Sequence, residues 1–118
     1  MLRVLLALAL LWSANAWAGE DLESANHLLP KCKLLLKEKI YENTESGICI
    51  GIMLTLKATS GFYEGKLKSC VPDDATIEQI IRVVVKYADG HPEQTHLPLI
   101  PMALVALQGA WPCPGTRL

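Results

Sequence analysis

The chain lacks most of the signatures by which a small protein declares its chemistry. No glycine-rich phosphate loop, no nucleophile elbow and no metal box can be found in it. Its four cysteines, Cys32, Cys49, Cys70 and Cys113, contain no C-x₂₋₄-C pair, and its three histidines are scattered, so a zinc site is disfavoured. There is no polybasic run, acidic tail, internal repeat or low-complexity segment, and the formal net charge is −1. That balance gives no electrostatic reason to expect a nucleic acid or an anionic membrane as partner. No apolar stretch, the one in the first residues included, is long enough to span a bilayer comfortably.

What is present begins with a compartment. Residues 1–18, MLRVLLALALLWSANAWA, carry one cation, Arg3, then an apolar run and then small residues. This is the pattern of a secretory signal peptide, with Ala16-Trp17-Ala18 as the expected cleavage triplet. The apolar run is short for a membrane anchor, and no cysteine lies at the cleavage site to carry a lipid. Cleavage would leave residues 19–118, enough for one small domain, and would remove Arg3, making the mature chain slightly acidic. An even number of cysteines in an exported chain of this size implies two disulfides, with three connectivities open at this point.

The spacing of apolar residues predicts helices. The stretch CVPDDATIEQIIRVVVKYADGHP, 70–92, has a strand-like β-branched centre but helical punctuation at both ends. Thr76 and Gln79 form a capping-box pattern, and Asp73, Asp74 and Glu78 lie near the positive end of the helix dipole. Ile77, Ile80, Ile81, Val84 and Ala88 then recur on one helical face. Gly90 is expected as the left-handed residue after the helix, and Pro92 prevents continuation. The β-branched residues cost only tenths of a kcal/mol each in propensity, so the helix prevails.

GICIGIMLTLKAT, 47–59, alternates like a strand at Ile48, Ile50, Ile52, Leu54 and Leu56. Gly47, Gly51, Thr55 and Thr59 nevertheless make a small-residue stripe at helical spacing, which would let a neighbouring helix approach closely. The segment is read as a buried central helix capped by Ser46. A first helix carries Leu28, Leu29, Cys32, Leu35 and Leu36 and must start near Pro30 or kink there. A last helix, about 97–111, is nearly all apolar and should be buried on most sides. Pro101 is tolerable in it only if the helix begins near position 98 or later. The fold class is therefore all-α, a small four- to five-helix bundle stapled by two disulfides.

If consecutive helices run antiparallel, Cys32 and Cys49 share one end of the bundle and Cys70 and Cys113 the other. The predicted pairing is Cys32–Cys49 and Cys70–Cys113. Catalysis leaves little trace. His27 beside Ser24 reads as a surface residue next to a helix cap, His91 lies in a turn before Pro92, and His96 adjoins the proline-rich start of the last helix. Neither enzymatic activity nor a cofactor is expected.

Several motifs together resemble a known family. They are Cys-x-Gly at 49–51, Cys-x-Pro at 70–72, the helix ending VVVKY, His-Pro-Glu at 91–93, His96, and the closing Trp-Pro-Cys at 111–113. In this combination, over about residues 24–113, the chain resembles the Rap1a/Tai family of type VI secretion immunity proteins. It departs at Ile52, where the family often has an aromatic residue, and at Pro101. The resemblance implies an exported, disulfide-bonded helical protein of the periplasm that binds a cognate secreted effector, often a peptidoglycan amidase, and occludes it. It also implies a tendency to dimerise. No contact residues are carried over from the family. The element expected to meet the effector is instead read from this chain: SGFYEGKLKS, 60–69, with Phe62 and Tyr63 as aromatic anchors and Glu64 and Lys66 beside them. Two other classes compete, a general periplasmic binding or adaptor protein without a toxin partner, and a small secreted helical enzyme or lipid-binding module.

Overall fold

In the computed structural model, which describes residues 22–39 and 43–115, three of the four helices begin at a side chain that caps the first turn. The expected signal peptide lies outside the described residues. The first helix, α1 (Ala25–Glu38), is capped by Ser24, whose hydroxyl accepts from the His27 amide at 3.2 Å. The two amides before it are taken by a neighbouring segment. Ala25 donates to the Leu97 carbonyl at 3.0 Å and Asn26 to the Thr95 carbonyl at 2.8 Å. The first-turn donors that a helix leaves open are thus satisfied from within the fold. The helix runs through Pro30 rather than starting at it.

The second helix, α2 (Thr44–Thr59), is capped by Asn43, whose Oδ1 accepts from the Ser46 amide at 2.7 Å. Ser46 was expected in that role and instead occupies the third helical position, buried. Asn43 and Ser46 are both good caps. The earlier start wins because it adds a turn and places Glu45 by the positive helix end.

The third helix, α3 (Ile77–Gly90), follows the sequence closely. Thr76 Oγ1 accepts from the Gln79 amide at 3.1 Å, and Ile80, Ile81, Val84 and Ala88 are buried. Gly90 departs from expectation, since it remains helical and His91 closes the helix by donating its amide to the Ala88 carbonyl. A left-handed terminal residue occurs on α1 instead, at Lys39, with φ 52°. The fourth helix, α4 (Leu99–Ala110), begins just after Pro98, which places Pro101 in the first turn, where no helical amide is lost.

Every helix touches the other three. Their buried faces, among them Leu29 and Leu35, Met53 and Leu56, Ile81 and Val84, and Leu104 and Leu107, form one continuous core. There are four helices and no named strand among the described residues. The disulfides are Cys32–Cys49, joining α1 to α2 with Cα atoms 5.4 Å apart, and Cys70–Cys113, with Cα atoms 4.9 Å apart. Both match the pairing drawn from helix order.

The orientation of α2 overturns one expectation. Its buried face is Ser46, Cys49, Met53 and Leu56, while Gly47, Gly51 and Thr55 are exposed. A Cβ built on either glycine would meet nothing within 4 Å. The small-residue stripe is therefore a solvent face rather than a helix-packing seam. A glycine there only weakens the helix, so Gly51→Ala should raise the unfolding free energy by about 0.5–1 kcal/mol. Urea denaturation would check this, and a loss of stability would restore the packing seam.

Candidate partner-binding surface

The connection between α2 and α3 is built from the end of α2. Two short 3₁₀ turns, Ser60–Phe62 and Gly65–Leu67, carry the chain outward and back. Gly65 adopts φ 62°, a left-handed conformation that glycine enters without steric cost. The second turn lies against α4. Residues 61–67 are all exposed, whereas Ser60 and Ser69 at the base are buried. The Ser69 amide donates to the Ser60 carbonyl at 3.2 Å and closes the loop.

Three further ties hold this base. The Cys70 amide donates to the Trp111 carbonyl at 2.8 Å, and Cys70 is bonded to Cys113. Lys57, near the end of α2, extends its ammonium to the carbonyls of Asp73 and Ala75 at 2.7 and 2.8 Å. A cation at a helix C-terminus is favourable in itself. Here it also binds the segment leaving the loop to the helix that enters it.

Of the residues singled out from sequence, Phe62 is 87% exposed and Tyr63 37%. Neither aromatic is tucked into the core. Glu64 and Lys66 are exposed beside them. They take no part in the ion pairs Lys31–Glu45, Lys33–Asp89 and Glu78–Arg82 found among the described residues. The loop thus brings an apolar ring and charges of both signs onto one projecting element.

The histidines are not brought together on this surface. His27 and His96 are exposed, the first beside the Ser24 cap. The His91 ring stacks on Tyr87 with centroids 4.0 Å apart, and its Nδ1 lies 2.7 Å from the Tyr87 carbonyl. A carbonyl only accepts, so Nδ1 carries the proton there. All four cysteines are in disulfides, and no group of side chains that could hold a metal ion occurs among the described residues.

One surface was not anticipated. An apolar groove of about 560 Å³ lies between the start of α1, the outer side of α2 and the start of α4, lined by Leu28, Ile48, Ile52, Pro98 and Ile100. On α2 and α4 apolar residues occur on nearly every side, so periodicity does not tell which ones face outward. The signal that could have found the groove is the excess of apolar residues over what one helical face can bury.

The fold and its surface define a disulfide-stapled four-helix scaffold presenting a clamped aromatic loop. The chain belongs to the Rap1a immunity protein family, whose model matches residues 24–113. That span runs from the cap of α1 to the last cysteine, and so includes all four helices and both disulfides. No curated protein and no solved structure matches the chain.

The Ser69 hydroxyl is buried with no hydrogen-bond partner among the described residues. A buried polar group left unsatisfied costs roughly 1–3 kcal/mol, so Ser69→Ala should leave the loop base intact and raise stability by about 1 kcal/mol. Calorimetric melting that showed a destabilised variant would mean the hydroxyl is engaged in the native protein.

Proposed function

We propose that the chain is a type VI secretion immunity protein of the periplasm, which binds a cognate effector and blocks it, protecting the producing cell from its own toxin. The family match over residues 24–113 carries this reading. The two disulfides support an oxidising compartment, as the signal-peptide pattern of residues 1–18 does, leaving 19–118 as the working domain. The effector class proposed is a peptidoglycan amidase, following the resemblance drawn from the sequence motifs. No step of catalysis is assigned to the chain itself.

Occlusion needs a projecting element that keeps its shape on binding. Any disorder lost at the interface subtracts from affinity, so a preformed loop binds more tightly than a floppy one. The loop 60–69 meets this requirement, and Phe62 and Tyr63 are the proposed anchors, flanked by Glu64 and Lys66. Aromatic residues that enter a partner's cleft carry a disproportionate share of binding energy.

A homodimer completes the reading, with the apolar groove at Ile48, Ile52 and Ile100 assigned to the second copy. The face is apolar apart from Glu23 at the start of the described chain, so a twofold mate can be met through its isoleucines. The groove reaches along α2 as far as Ile52 and the loop follows Thr59, so the last seven residues of the helix, roughly 10 Å, separate them. Ile100→Asp should therefore convert the dimer to monomer in sedimentation velocity without loss of helix signal. A wild-type protein that sediments as a monomer would remove this part of the proposal.

The functional test is co-expression in the periplasm with the secreted protein encoded next to it. Growth should be rescued, and Phe62→Ala with Tyr63→Ala should weaken the complex at least about 30-fold, the equivalent of a 2 kcal/mol hot spot. Lysis that the wild-type chain does not relieve would exclude immunity for that pair. Unchanged affinity in the folded double variant would move the binding site elsewhere.

A further inference from the structure

The two disulfides differ in their surroundings. Cys32 and Cys49 are 0% and 1% exposed and belong to the hydrophobic core, within helices packed on every other helix. Cys113 is 5% exposed, but its partner Cys70 is an exposed residue. The second bond also joins two non-helical segments, one leaving the loop 60–69 and one following α4.

We infer that Cys70–Cys113 is a solvent-reachable clamp that sets the shape of the 60–69 loop, so that the loop is presented in its binding form only while this bond is intact. Cys32–Cys49 is the staple of the core. The functional consequence rests on the immunity reading, but the structural claim does not require a toxin.

The energetics favour this division. Residues 61–67 are exposed and only the second turn rests on α4, with Leu67 38% exposed, so burial holds the loop less firmly than it holds the helices. The non-covalent ties at its base are the Ser69–Ser60 and Cys70–Trp111 amide bonds and the two Lys57 contacts. Each exchanges a hydrogen bond with water for one within the protein, so its net contribution is small. Segments with few buried contacts open locally at free energies below that of global unfolding. The covalent bond pins Cys70, directly after Ser69, to the segment behind α4. Without it, the loop's outgoing end is held, up to buried Ala75 and the α3 cap, by those contacts and by the half-buried Val71 on the core alone.

The reduction step follows from the exposure of Cys70. One thiolate of a dithiol reductant attacks the Cys70 sulfur, the S–S bond breaks, and Cys113 leaves as a thiolate that takes up a proton. The reductant's second thiolate attacks the mixed disulfide, releases Cys70 as a thiolate and closes the reductant into a cyclic disulfide. Two electrons pass to the protein. The buried Cys32–Cys49 pair offers no such approach.

The test uses the oxidised protein, dithiothreitol without denaturant, an iodoacetamide quench and mass spectrometry. Cys70 and Cys113 should be alkylated at least about tenfold faster than Cys32 and Cys49, with helical circular dichroism retained. Chymotryptic cleavage after Phe62 or Tyr63 should accelerate at least about tenfold in the same interval. The variant Cys70→Ser with Cys113→Ser should reproduce the fast cleavage in a folded bundle. Simultaneous opening of both disulfides, unchanged cleavage after selective opening, or a double variant that does not fold would each overturn the inference. Because no toxin enters the experiment, its failure leaves the immunity reading standing, and failure of toxin binding leaves this result standing.

Discussion

A domain of about 100 residues with a single core depends on crosslinks more than a large one does. Here the covalent constraint is the Cys32–Cys49 bond between α1 and α2, flanked by Leu29, Leu35, Met53 and Leu56. It fixes which faces of these helices meet. Given that pair, α3 and α4 have an apolar surface to close upon, and each of them contacts both crosslinked helices. By loop-closure entropy such a bond contributes roughly 3 kcal/mol, a large fraction of the 5–15 kcal/mol typical of a folded domain.

The arrangement suits the obstacle that the proposed function calls for. The loop after α2 begins and ends on buried serines and is tied to α4 through Trp111 and Cys113. Its exposed residues can therefore be aromatic without collapsing onto the core. On the proposed reading such a loop meets the effector, and the proposed groove dimer would present two of them.

Much of the fold was legible from residue spacing. In α3, a cap, an apolar stripe and a following proline agree with each other, and local agreement of that kind makes a helix readable despite β-branched residues. The disulfide pairing followed from helix order alone. The failures occur where one pattern supports two answers. In α2, apolar residues on almost every side left glycine and threonine to suggest a seam, yet the sulfur of Cys49 decides which side turns inward. Asn43 and Ser46 could each cap that helix, and burial of Ser46 is a tertiary fact. Gly90 has the composition of a helix stop, but His91, stacked on Tyr87, closes the helix one residue later. At the candidate site, the glycine-flanked aromatic pair was visible in sequence. The Lys57 ties were not, because a lysine bound to backbone carbonyls many residues away leaves no local pattern.

The central claim is that two specific crosslinks define this scaffold, and the most direct measurement is peptide mapping of protein recovered unreduced from the cell envelope. The account predicts Cys32 linked to Cys49 and Cys70 linked to Cys113, with no free thiol. Cys32 linked to Cys70 or Cys113, or a population with unpaired cysteines, would contradict it.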